Sequence, residues 1–257
     1  MTSGAADLAP PELSIVLATL NERENLPPLL DRIRASQLPQ YEVVVVDDGS
    51  KDGTREFLAS AARTDPRFQL IWHEGKQTTL RAQCQGIAAA RGRFIVIMDA
   101  DLQHPPEVLP AMVRSLEEGA ALVVGSRYAP GGSTGPRTWT RALISRGAEW
   151  TAKILLPEAR ALRDPVSGLF GFRHAIFRPL PPEWRGYKLL LFLLVMSRGE
   201  RVAEVGYKFE PRASGSSKLT ENSRFIRFFL AEVALARRFR RSLAMLPKPT
   251  PGAEQPL

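Results

Sequence analysis

Four short apolar runs recur through the first hundred residues, at 13–17 (LSIVL), 41–46 (YEVVVV), 68–72 (FQLIW) and 94–98 (FIVIM). They are rich in β-branched residues and nearly continuous rather than alternating, which is how strands read when both faces of a sheet are covered. Between them, residues 25–34, 54–62 and 79–90 read as helices. A β-α-β-α-β-α-β order calls for right-handed crossovers between parallel strands and defines an α/β fold. Ligands of such folds sit just past the strand carboxyl ends. Beyond residue 98 the alternation weakens. The reading is a helix at 106–118, a strand at 121–125, a Gly-rich loop at 129–136 (APGGSTGP) and a helix at 138–156. A strand at 168–172, an apolar helix at 187–197, a strand at 201–209 and a basic amphipathic helix at 223–246 follow.

At 257 residues the chain suits one domain, expected over 12–246. The Pro-rich ends, 1–11 and 247–257, have little to bury and read as disordered tails. The single Cys84 excludes an internal disulfide and the C-x-x-C zinc spacings, and it fits a reducing, cytoplasmic compartment. The start MTSGAADLAP lacks the basic and apolar segments of a signal peptide. The longest apolar run, 189–196, falls far short of the roughly 18 residues of a membrane span. The expectation is a chain that does not cross a membrane by itself.

A net charge of +8 points to anionic partners. Arg224, Arg227, Arg237, Arg238, Arg240 and Arg241 alternate with Phe and Leu near the C-terminus. This is the pattern of a basic helix on a membrane surface rather than of a nucleic-acid motif.

Two polar clusters follow strands. The first, Asp47, Asp48, Gly49 and Ser50 with Asp52, Gly53 and Thr54, makes a strand-to-helix turn able to accept hydrogen bonds from a base or ribose. The same composition also serves an ordinary turn. The second, Asp99, Ala100, Asp101, Leu102, Gln103 and His104, puts two carboxylates two residues apart at a strand end. Like charges repel there unless a cation neutralises them. With Gln103 alongside, these hard oxygens suit Mg²⁺ or Mn²⁺, which also bridge substrate phosphates. The competing reading is a solvated acidic turn before the helix at Pro106, and His104 reads as a loop residue. The first strand is followed by Ala18-Thr19-Leu20-Asn21-Glu22 rather than G-x-G-x-x-G, and no P-loop occurs, so dinucleotide and P-loop chemistry lose their support. No nucleophile elbow is present.

Taken together, LSIVLATLNEREN, VVVVDDGSKDGT, FIVIMDADLQHPPE, VVGSRY, RALISRGA, RDPVSGLFGFR and FEPRASGSSKL resemble the family 2 glycosyltransferases of the GT-A fold. Within that family the chain is most similar, over 13–239, to the dolichyl-phosphate (polyprenyl-phosphate) mannose synthases. The resemblance implies a Rossmann-like, mixed but mostly parallel sheet flanked by helices, with a C-terminal amphipathic helix. It implies that Ala18, Leu20 and Glu22 line the nucleotide, that Val46 and Asp48 contact its base, and that Asp99 with Ala100 faces ribose and phosphates. Asp101 and Gln103, helped by Asp99, would hold Mg²⁺ or Mn²⁺. Arg127, Arg212 and Lys218 would place positive charge around the donor diphosphate and acceptor phosphate, and with Asp101 they form the implied catalytic set. Arg forks and a divalent cation are what a departing diphosphate needs in a closed site.

The implied reaction moves mannose from GDP-mannose to a polyprenyl phosphate, with inversion, by an enzyme peripherally bound to the cytoplasmic membrane face. Three positions depart from the family pattern. Ala18-Thr19-Leu20 stands where Pro-Thr-Tyr is usual, residues 75–79 lack a Lys-x-Gly-Leu-Gly loop, and Phe192 replaces a common Glu. A UDP-sugar-dependent lipid-phosphate glycosyltransferase, a non-catalytic membrane-associated relative and a basic nucleic-acid binder remain as alternatives.

Overall fold

The computed structural model describes residues 10–75, 77–135, 139–180, 184, 187–211 and 223–243. Strands β1 (Leu13–Thr19), β2 (Tyr41–Asp47), β3 (Phe68–Trp72) and β4 (Phe94–Asp99) form at the four apolar runs. Helices α1 (Leu26–Ala35), α2 (Thr54–Thr64) and α3 (Thr79–Ala89) join them. Their starts are written locally. Prolines occupy the first turn of α1, where no N–H is needed, and the Thr78 hydroxyl caps α3 by accepting from the Arg81 N–H.

The second half runs through a 3₁₀ turn (Pro106–Val108), α4 (Leu109–Glu117), β5 (Leu122–Ser126), α5 (Trp139–Leu155), β6 (Phe170–Arg173), α6 (Leu189–Met196), β7 (Val202–Gly206) and α7 (Ser223–Leu243). Two boundaries differ from the sequence reading by more than two residues. The helix expected at 106–118 opens as a 3₁₀ turn: Pro110 has no N–H to give the Pro106 carbonyl, which accepts from the Leu109 N–H instead. The strand expected at 201–209 ends at Gly206, after which only a Ser133–Lys208 bridge continues the pairing. Residues 244–246 of the expected basic helix lie outside the described residues.

The seven strands lie in the order β3-β2-β1-β4-β6-β5-β7. Neighbours are parallel except β6, which runs antiparallel to both β4 and β5. Because side chains alternate across a strand, each apolar run feeds two cores. Val16, Val44, Ile95 and Ile97 meet α3, α5, α6 and α7 on one face. Ile15, Leu17, Val43, Val45, Val96 and Met98 meet α1, α2 and α4 on the other. The approach of α3 to β1 is so close that a Cβ on Gly86 would lie 2.4 Å from Val16 Cγ1. Helix α6 is apolar all round because it is buried all round, and Phe192 packs its ring between those of Trp184 and Phe239.

The strand order fixes where a ligand can bind. From β1 the chain moves outward through β2 and β3, then returns to β4 on the other side of β1. The crevice at the carboxyl ends of β1 and β4 is therefore the topological switch point.

Candidate active site

The sheet register sets Val46 of β2, Ala18 of β1 and Asp99 of β4 side by side in one row at this edge. The turns beyond the row are stitched to each other. Asn21 adopts a left-handed backbone (φ 53°), which asparagine tolerates better than most residues. Its N–H donates to Ser50 Oγ (2.7 Å), and its Oδ1 accepts from the Lys51 N–H (2.9 Å). The Glu22 N–H donates to Thr54 Oγ1 (3.0 Å), and Glu22 Oε2 accepts from Asn25 Nδ2 (2.7 Å). Leu20 and Glu22 are thus carried on a turn fixed from both ends.

The two aspartates of β2 divide their work. Asp47, fully buried, builds the turn: it accepts from the Gly49 and Ser50 N–H groups and from the Ser50 and Thr19 hydroxyls. Asp48 follows it toward the crevice, its N–H bonded to the Thr19 carbonyl (3.0 Å).

At the end of β4 the acidic turn is tightly held. The Asp99 N–H donates to Nδ1 of the buried His104 (3.1 Å), which places the imidazole proton on Nε2. The His104 ring stands edge-on to Tyr207 and Phe209 at 5.6 and 6.0 Å between centroids. Asp101 Oδ1 accepts from the Gln103 N–H (3.1 Å) across Leu102, whose φ of 64° is strained for a leucine. The Gln103 carbonyl accepts from the Glu210 N–H (3.1 Å), tying the turn to the segment after β7. Gly168 closes the back, where a Cβ would sit 3.2 Å from Asp99 Oδ2 and 3.1 Å from His104 Cε1. The result is a half-exposed Asp99 carboxylate beside a buried Asp101.

His104 is thus a positioning residue. His104→Phe should cost about 1–3 kcal/mol by leaving the Asp99 N–H unsatisfied, and should slow turnover by letting Asp99 drift. Urea unfolding with steady-state kinetics checks this; unchanged values in both would remove the role.

Among the described residues no cluster of three or more His, Cys, Asp or Glu side chains forms. The donors present nevertheless fit Mg²⁺ or Mn²⁺. These ions take one or two protein carboxylates and fill the remaining positions with phosphate oxygens and water. Asp99 and Asp101, with Gln103 next in the turn, supply that partial set.

Basic side chains lie farther along this edge of the sheet, beyond β6. Arg127, just past β5, makes a two-pronged pair with the fully buried Asp164, Nε to Oδ2 at 2.7 Å and Nη2 to Oδ1 at 2.8 Å. Its backbone N–H donates to the same carboxylate. Burial works against the guanidinium charge, but Asp164 outweighs it and the Arg127 pKa is raised. Asp164 is itself set by Glu204 of β7, which accepts from the Asp164 and Arg163 N–H groups at 2.9 Å. Glu149 of α5 accepts from the Ser145 hydroxyl (3.3 Å) and meets Tyr128; burial, with Asp164 nearby, raises its pKa.

A second cation was not singled out from the sequence. Lys188 Nζ donates to the Val166 carbonyl (2.8 Å), within the turn that runs from Asp164 to Gly168. Burial and the Arg127 charge lower its pKa, against the pull of Asp99, Glu232 and Asp164. Its backbone N–H donates to Glu232 of α7 (2.7 Å), which also accepts from the Tyr187 N–H. The signal available in the sequence was a lysine directly preceding a wholly apolar helix. Arg212 and Lys218 lie outside the described residues.

An open, mostly parallel sheet with paired carboxylates at its switch point defines the class: an α/β fold whose ligand crevice lies at the carboxyl ends of its strands. Comparison with known proteins narrows it. The profile of Glycosyl transferase family 2 matches residues 14–180, and the chain belongs to that family. It is 39% identical over 209 residues to dolichol-phosphate mannosyltransferase of Pyrococcus furiosus, spanning 81% of this chain but only 59% of that protein. It is 33% identical to dolichol-phosphate mannosyltransferase of Saccharomyces cerevisiae over 81% of each, and 32% identical to polyprenol monophosphomannose synthase of Mycolicibacterium smegmatis over 89% of each. The fold is similar to that of glucosyl-3-phosphoglycerate synthase from Mycobacterium tuberculosis, solved with Mn²⁺, uridine diphosphate and glucosyl-3-phosphoglycerate. That match has a TM-score of 0.67 at 20% identity and covers 95% of this chain and 84% of the other. The protein is a glycosyltransferase of the GT-A fold.

Proposed function

We propose that the enzyme transfers mannose from GDP-mannose to a polyprenyl, dolichyl-type phosphate, with inversion and with the aid of Mg²⁺ or Mn²⁺. The observation that carries this reading is the row of Val46, Ala18 and Asp99 at the carboxyl ends of β2, β1 and β4, which ends at the paired carboxylates Asp99 and Asp101. The names of the relatives described above support a mannosyl donor and a polyprenyl phosphate acceptor.

In this reading Ala18, Leu20 and Glu22 line the nucleotide, Val46 and Asp48 meet its base, and Asp99 with Ala100 faces the ribose and phosphates. Asp99, Asp101 and Gln103 would hold the cation, which would supply charge neutralisation for the departing diphosphate. An oxygen of the acceptor phosphate forms the new bond to the anomeric carbon. The bond from that carbon to the β-phosphate breaks, and its electron pair leaves with GDP. The acceptor oxygen is already anionic, so no strong general base is needed. Arg127 and Lys188 face this phosphate exchange from the far wall. Arg212 and Lys218, which lie outside the described residues, would add their positive charge to this exchange. Lys188→Gln should therefore lower turnover by about 10²-fold with little change in fold, the effect of losing one preorganised charge donor. Wild-type turnover in this variant would make Lys188 a structural residue.

The donor base is tested by thermal unfolding with GDP, UDP or ADP in the presence of Mn²⁺. GDP at about 100 times its Kd should stabilise the protein by about 2.7 kcal/mol and the others by less. Stabilisation by UDP alone would favour the UDP-sugar reading.

The acceptor is a lipid, while among the described residues no helix is long and apolar enough to cross a membrane. The proposal therefore includes reversible contact with the cytoplasmic membrane face, aided by the arginines of α7.

A further inference from the structure

The described apolar side chains of α7, the expected lipid-facing element, divide: Phe228 (59%) and Leu230 (44%) are exposed, while the others mostly pack inward. Phe229, Val233 and Ala236 are buried in the core, and Phe239 lies against Phe192. Helix α5 is built the other way. Its inner side sends Ala148, Ala152 and Leu155 onto that core and carries Glu149 to Tyr128, beside the Arg127–Asp164 pair. Its outer side exposes Trp139 (76%), Leu143 (65%), Trp150 (67%) and Ile154 (62%).

Those four positions fall within about 60° of the helix circumference and run for about 22 Å along it. A stripe of large apolar side chains left in water marks a surface meant to be covered. Its border is cationic. Lys153 and Arg160 line the hollow beside Trp150 and Ile154, and Arg237 and Arg241 of α7 line the groove that continues from Ile154. Apolar rings edged by Lys and Arg match a bilayer whose acyl boundary takes the rings and whose phosphates take the cations.

We propose that the outer face of α5 is the surface by which this protein docks on an anionic lipid bilayer, with the arginines of α7 as its electrostatic border. The inference rests on the lipid-acceptor reading above and adds the surface. Since the inner side of the same helix meets the Arg127 wall, a lipid phosphate beneath α5 has a short path into the site.

The test uses the full chain and a Trp139→Ser, Leu143→Ser, Trp150→Ser, Ile154→Ser variant. Both are sedimented with phosphatidylcholine vesicles containing or lacking phosphatidylglycerol. The wild type should pellet with the anionic vesicles and show a blue shift of tryptophan emission. The variant should lose binding by about 10-fold or more, as expected when buried apolar area is removed. It should keep wild-type transfer to a short, water-soluble prenyl phosphate and lose transfer to a long-chain acceptor in vesicles. Equal sedimentation of both proteins would overturn the proposal. So would a wild type that ignores vesicles and forms a dimer the variant cannot form, which would assign the face to a second copy of the chain. If the variant loses vesicle binding while the wild type transfers no sugar to any acceptor, the docking surface stands and the functional reading fails.

Discussion

Asp101→Ala is expected to lower kcat/KM by about 10³-fold or more, the scale seen when a charge-stabilising group is removed from a closed site. Asp101 is the buried member of the pair at the end of β4, next to the donor diphosphate in the proposed pose. Its Oδ1 also accepts from the Gln103 N–H, so the Ala variant loses a turn contact as well as a charge. Asp101→Asn separates the two effects, because it keeps an acceptor for that N–H and removes only the charge. The same loss of transfer in both variants, with unfolding midpoints near wild type for Asn, assigns the effect to the carboxylate. Near-normal turnover in the Asn variant, or full activity of the wild type in EDTA, would sink the metal assignment.

Asp164→Ala should be the most destabilising single change in the site. Asp164 is fully buried and satisfies three N–H groups of Arg127, two of them on the guanidinium. Removing it strands a largely buried cation, which costs about 3–5 kcal/mol in comparable buried pairs. The double variant Arg127→Met/Asp164→Leu removes both charges and should recover most of that stability, since well-packed apolar pairs can replace buried ion pairs. It should remain inactive if Arg127 acts on phosphate. Urea unfolding measures the first statement and sugar transfer the second. A loss below about 1 kcal/mol in Asp164→Ala would show that Arg127 finds water or another partner. An active double variant would make the pair structural.

The sequence carried the half of the fold that is locally encoded. β1 to β4 and their helices announce themselves through apolar runs, capping residues and turns, and their order alone places the crevice. The antiparallel insertion of β6 between β4 and β5 is not a local property. A strand's pattern shows which faces are covered but neither its partner nor its direction. Within the site, the carboxylates were legible because two acids at a strand end invite a chemical reason. The residues that hold them were not. His104 reads as a loop residue until the fold brings its Nδ1 to the Asp99 N–H. Asp164 lies 37 positions from Arg127, and Glu232 reaches Lys188 across 44. Pairings at such separations leave no periodicity to read. At the C-terminus, Phe and Leu beside arginines suggest a lipid-facing helix, and the described residues of α7 leave Phe228 and Leu230 exposed. Its other large apolar side chains lie against α6 and the core, and a longer exposed stripe, which the sequence pattern does not announce, belongs to α5.

The proposed reaction is a single group transfer, and the most direct measurement follows the sugar. Purified protein is incubated with GDP-mannose labelled in the sugar, a polyprenyl phosphate and Mg²⁺, and the mixture is extracted into organic solvent. The account predicts label in the organic phase as a polyprenyl phosphate mannoside, released by mild acid, with one GDP formed per sugar moved. It also predicts no label there when the acceptor is omitted or when Asp101→Asn replaces the wild type. Label that stays in the aqueous phase with every nucleotide sugar and acceptor tried, from a protein that is folded and binds GDP, would contradict it.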